Sequence, residues 1–156
     1  MAAPTSCFVD TNVLLYSVDP SDARKQDLAW RWLEVLWSQK AGRLSWQVLH
    51  EFYVNAVRKA PLAVRDARKV VEDYVQWQPV ETTRGLIERG WHWMDQAQVS
   101  YWDSLIVAAA ERAGCGWLLS EDFQTGRQFG SVKVVNPFLQ GPDEIQAPVR
   151  AQRKPT

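Results

Sequence analysis

Cysteine and histidine are scarce in this 156-residue chain, with only two of each, and that scarcity removes whole classes of chemistry. Cys7 and Cys115 each lie in or beside an apolar, strand-like run, and with only His50 and His92 to join them there is no zinc-ligand spacing. Buried, reduced thiols are expected. No apolar run approaches the ~20 residues that a membrane span needs, and the first six residues carry neither a charged n-region nor an apolar h-region. These absences predict a cytoplasmic protein with no membrane partner. Bias of charge is missing too, since lysine plus arginine and aspartate plus glutamate both total 18. Any affinity for nucleic acid must then come from a local patch or a bound metal rather than from an overall field.

What is present reads as one domain, long enough to bury ~70% of the surface its unfolded form exposes. Ser6-Cys7-Phe8-Val9 is a nearly continuous apolar run, as in a strand buried on both faces of a parallel sheet, and is expected to be the central strand. A helical turn over Thr11 to Tyr16 follows, then a turn-and-cap sequence at Asp19-Pro20-Ser21-Asp22 that opens a helix to about Gln39. In that helix Leu28, Ala29, Trp30, Trp32, Leu33, Val35, Leu36 and Trp37 cover more than one stripe. Two readings stand side by side: a helix sandwiched inside the fold, or one whose second face meets another chain, as in a homodimer.

Arg43-Leu44-Ser45 is a candidate strand, followed by a helix from about Gln47 to Arg58 with Pro61 as its stop, and another from Ala63 to about Gln76. Pro79 to Thr82 reads as a brief strand or a connection. Helices near Thr83–Gln98 and Asp103–Ala113, the second stopped by Gly114, precede two last strands at Gly116–Leu119 and Val132–Val135. Helices alternating with short apolar strands predict an α/β sandwich with a mostly parallel sheet in residues 1–139. Residues 140–156, with Pro142, Pro148 and Pro155, read as a loose tail.

Four acidic residues fall where this secondary structure turns over: Asp10 after the first strand, Glu51 in a helix, Asp103 at a helix start and Asp122 after Trp117-Leu118-Leu119-Ser120. Each alone has an ordinary explanation. Asp10 can cap the turn at Thr11, Asp103 can sit favourably at a helix N-terminus behind Ser100, Glu51 can be a solvated helix residue, and Asp122 can stabilise a turn before Gly126. Jointly they say more, because open parallel sheets bind ligands outside the carboxyl ends of their strands. Several clustered carboxylates need a compensating charge, so convergence would make a hard-cation site and point to metal-assisted phosphodiester chemistry.

Phe8-Val9-Asp10-Thr11-Asn12-Val13-Leu14, Val48-Leu49-His50-Glu51-Phe52-Tyr53, Tyr101-Trp102-Asp103-Ser104-Leu105-Ile106 and Leu118-Leu119-Ser120-Glu121-Asp122-Phe123 resemble, in order, the four motifs of the PIN domain. The resemblance covers about Cys7 to Pro137 and is nearest to the VapC-like ribonuclease toxins of type II toxin–antitoxin systems. It implies a three-layer α/β/α sandwich and an endoribonuclease whose Asp10, Glu51, Asp103 and Asp122 hold Mg²⁺ or Mn²⁺. It also implies hydrolysis to a 5′-phosphate and a 3′-hydroxyl, and a cognate antitoxin as partner. In the fourth motif Glu121 and Asp122 are adjacent and point in different directions; the family pattern favours Asp122 as the one facing the metal. Thr11, Asn12 and Ser120 would orient the carboxylates or water, or serve only as turn and cap residues. Arg58, seven residues beyond Glu51, and Arg127 are candidate RNA contacts or plain surface charges. A phosphotransferase using Asp10 as nucleophile is a rival, weakened because such sites resemble Asp-x-Asp and Asn12 holds the second position. A PIN-fold module that binds protein without cleaving RNA is the rival outside catalysis.

Overall fold

The computed structural model describes residues 5–59 and 62–145; Pro61, the expected helix stop, and residues 146–156 of the expected tail lie outside them. Strands β1 (Cys7–Val9), β2 (Gly42–Arg43), β3 (Trp117–Leu119), β4 (Gln128–Phe129) and β5 (Val132–Val135) form one sheet in the order β2-β1-β3-β5-β4. Phe8 pairs with Leu118 and Leu118 with Val134, all parallel, while β4 runs antiparallel to β5 at the edge. The middle strand is therefore β3, with β1 beside it, which corrects the expectation for the Cys7 run. Both strands are buried at every residue. Since alternate side chains face opposite sides, helices must cover both faces of the sheet, and the fold is a three-layer α/β sandwich.

The helices are α1 (Thr11–Ser17), α2 (Ala23–Gln39), α3 (Trp46–Arg58), α4 (Val64–Tyr74), α5 (Arg84–Ala97) and α6 (Tyr101–Arg112), with a 3₁₀ turn at Val75–Trp77. Their starts follow from local hydrogen bonding. Asp22, Ser45, Thr83 and Ser100 each accept a backbone N–H from the first turn of α2, α3, α5 and α6, satisfying donors that the helix leaves open. Because Ser100 is the cap, α6 starts at Tyr101 and Asp103 sits inside its first turn rather than opening it.

Helix α2 resolves the excess of apolar residues mostly inward. Ala29, Trp32, Leu33 and Leu36 are buried, Trp37 packs on Tyr74 and Trp77, and of its tryptophans Trp30 alone is left exposed, at 51%. The Trp32 indole N–H donates to the carbonyls of Pro137 and Gln140. Ile145, partly buried, also packs on the core. Cys7 and Cys115 are buried free thiols, each pushed up to about 12 by burial. No described helix is long and apolar enough to cross a membrane.

Candidate active site

Parallel pairing brings the ends of β1 and β3 to the same rim. The Asp10 N–H donates to the Leu119 carbonyl at 3.0 Å, and the Ser120 N–H to Val135 at 3.1 Å, so the residues following both strands leave the sheet side by side. Asp10 is 5% exposed and Ser120 fully buried. The Thr11 N–H donates to Asp10 Oδ1 at 2.7 Å and the Ser120 hydroxyl to Asp10 Oδ2 at 2.7 Å. Both carboxylate oxygens are thereby held, and Asp10 is the cap of α1 as well as a member of the rim.

Glu51, Asn12 and Asp122 join through side chains, whereas Asp103 is held by its backbone N–H, which donates to Ser100 Oγ at 3.2 Å. Thr11 Oγ1 donates to Glu51 Oε2 at 2.8 Å, tying α3 to the start of α1. Asn12 Nδ2 donates to Asp122 Oδ2 at 3.1 Å and to Ser120 Oγ at 3.3 Å, while the Asp122 N–H donates to Ser120 Oγ at 3.1 Å. Gln47, which sequence reasoning did not single out, donates to Glu51 Oε1 at 3.0 Å and to the Trp102 carbonyl at 3.2 Å, joining α3 to the residue before Asp103. Its only signal in the sequence is a position one turn before Glu51 on the same helix face.

Adjacent Glu121 and Asp122 part company. Glu121 accepts from Lys25 Nζ at 2.7 Å, and Lys25 also donates to Tyr16 and lies 4.5 Å from its ring centroid. Asp122 stays with Asn12. Neither candidate arginine joins the rim. Arg58 is exposed at the end of α3, and the Arg127 guanidinium donates to the Ala97 carbonyl and lies over Phe129, 4.7 Å from the ring centroid, anchoring its loop to α5.

The electrostatics follow from burial among like charges. Asp10 is pushed from 3.8 up to about 7, first by burial and then by Asp122 and Glu51, against the lowering effect of its Ser120 and Thr11 hydrogen bonds. Asp103 is raised by burial and by the same two neighbours, while its Ser100 hydrogen bond lowers it. No lysine or arginine among the described residues forms an ion pair with any of the four. Nor are three Asp, Glu, His or Cys side chains there gathered tightly enough to enclose an ion by themselves. The expected hard-cation site is thus a loose acidic ring: Asp10, Glu51 and Asp122 are linked through Thr11, Ser120 and Asn12, and Asp103 feels the charges of Glu51 and Asp122. That set suits a hard divalent cation, and lacks the nitrogen and sulfur that zinc prefers.

Residues 7–127 match the model of the family described as the PIN domain. The chain belongs to the PIN-domain family. Among solved structures its PIN fold is similar to the crystal structure of Mycobacterium tuberculosis VapC20, described as a sarcin-ricin loop cleaving toxin. That likeness has a TM-score of 0.53 and 24% identity over 72% of this chain and 87% of that one. No curated protein matches the PIN-domain chain significantly in sequence.

Proposed function

We propose that this PIN-domain chain is a metal-dependent endoribonuclease, the toxin of a toxin–antitoxin pair, with Asp10, Glu51, Asp103 and Asp122 as its metal-holding and catalytic residues. The observation that carries the reading is Asp10. It is a carboxylate raised first by its burial and then by neighbouring Asp122 and Glu51, with no lysine or arginine among the described residues paired to it, an arrangement unfavourable for folding and suited to a cation. Membership of the PIN family supports nuclease chemistry, and the description of VapC20 supports RNA as the substrate class.

When bound, Mg²⁺ or Mn²⁺ would make a water nucleophilic near neutral pH and neutralise charge growing on the leaving oxygen. The chain's own groups do the rest. Ser120 and the Thr11 N–H fix the Asp10 carboxylate; Thr11 and Gln47 fix Glu51; Asn12 fixes Asp122. Held this way, the oxygens need little reorganisation when a cation and a phosphodiester arrive. Inhibition by a small antitoxin protein belongs to the same reading, since carboxylates without a paired cation attract a partner's arginine or lysine.

The test is incubation of the purified chain with single-stranded RNA in Mg²⁺, in Mn²⁺ and in EDTA, followed by end-group analysis. Internal cuts with 5′-phosphate and 3′-hydroxyl ends in metal alone are expected. Equal cutting in EDTA, or cyclic-phosphate ends, would contradict the reading.

A further inference from the structure

Beside the acidic ring lies a cleft of about 930 Å³, lined on one wall by Trp46, Gln47 and His50 of α3 and on the other by Tyr101 and Trp102 of α6. Glu81 and Thr82 also line it, and Glu51 belongs both to it and to the ring. Its size falls within the range of small-ligand sites. Trp102 is 62% exposed, the largest exposure of any described tryptophan. It meets Tyr101 edge-on with ring centroids 5.2 Å apart, while Trp46 and His50 tilt together at 6.2 Å.

We propose that this cleft is a nucleobase subsite, taking an unpaired base of the strand whose phosphodiester lies at the acidic ring; the proposal rests on the nuclease reading for that strand. Three observations favour a base over other occupants. The cleft is continuous with the ring, because one Gln47 amide holds both Glu51 and the Trp102 carbonyl, and Asp103 is the residue after Trp102. Among the described residues no lysine or arginine lines it while Glu51 and Glu81 do, so it repels phosphate and accepts an uncharged part of the strand. Its walls present aromatic faces with amide, hydroxyl and imidazole groups between them, the combination on which single-stranded bases stack and hydrogen-bond. Trp102 is the principal stacking face, held through its own carbonyl.

The test is fluorescence anisotropy of an end-labelled oligoriboadenylate and of an abasic ribose-phosphate oligomer of equal length, with the full chain in Mg²⁺ and in EDTA. Wild type is expected to bind the base-bearing strand about tenfold more tightly. Trp102→Ala should erase that difference, and Trp102→Phe should keep most of it. Equal binding of the two oligomers by wild type, or an undiminished difference in Trp102→Ala, overturns the subsite. So does a wild-type dimer that Trp102→Ala converts to monomer without a base effect, since a second copy would then fill the cleft. Base-dependent binding without RNA cleavage would leave the subsite standing and sink the nuclease reading; cleavage without base dependence would do the reverse.

Discussion

Asp10 illustrates how one side chain can serve the fold and burden it at once. Its carboxylate caps α1 and accepts from Ser120, yet burial and two neighbouring carboxylates raise it to about 7. A carboxyl raised in the folded state stabilises most below its unfolded value near 4, and that contribution is lost as pH rises through 7. In EDTA, Asp10→Asn should therefore melt higher than wild type at pH 8, by on the order of a few kcal/mol, and match it near pH 4. Thermal melts across this range check the sign, and a less stable variant at pH 8 would mean that the hydrogen bonds outweigh the desolvation. The adjacent pair gives a second contrast. Glu121→Gln, which loosens a contact to Lys25, should cut RNA within a few-fold of wild type. Asp122→Asn should lose about 100-fold or more, as expected for a group acting on the reacting atoms; steady-state rates of the two variants decide between them.

At the scale of elements, the rim was largely legible because its signals are local. An apolar run ending in Asp10, a serine before Asp103 and an apolar run ending in Ser120 mark strand ends and caps that the fold keeps. What stayed hidden depends on tertiary approach. Strand β4 is two residues of mixed polarity that pair only because the chain turns back on β5, and Lys25 meets Glu121 across 96 positions with no pattern to announce it. The contact of α5 with α6 is another such approach. A Cβ on Gly90 would lie 2.9 Å from Ser104 Oγ and from Leu105 Cδ2, and Ser104 is fully buried with its hydroxyl on the Tyr101 carbonyl. Gly90→Ala gains about 1 kcal/mol of helix propensity but overpacks by about 1–3 kcal/mol. Since Ser104 follows Asp103, a net loss of stability and a slower cut per folded molecule are expected. Gly42→Ala would drive its Cβ to 2.3 Å from the Trp77 ring, at the Cys7 end of the sheet, opposite Asp10. It should destabilise more, while chemistry per folded molecule holds. Denaturant melts with activity normalised to folded protein separate the two, and equal losses of activity would remove the link from α5 to the rim.

Across the whole molecule, equal numbers of acidic and basic residues leave local features to decide partners. Self-association, first suggested by the tryptophans of α2, now rests on Trp30 alone, because Trp32 and Trp37 are occupied within the fold. If that face joins two copies, light scattering at micromolar concentration should give a dimer that Trp30→Glu dissociates without unfolding; a monomeric wild type would assign the exposed ring to no self-contact. The central claim, that four carboxylates on one rim form a metal-dependent RNA-cleaving centre, is tested most directly by one rate. The single-turnover rate of RNA cleavage is measured against Mg²⁺ concentration for wild type and Asp10→Asn, with thermal melts on the same preparations. The account predicts a saturable dependence on Mg²⁺ in wild type and a loss of about 100-fold or more in a fully folded variant; a folded Asp10→Asn chain cutting at the wild-type rate would contradict it.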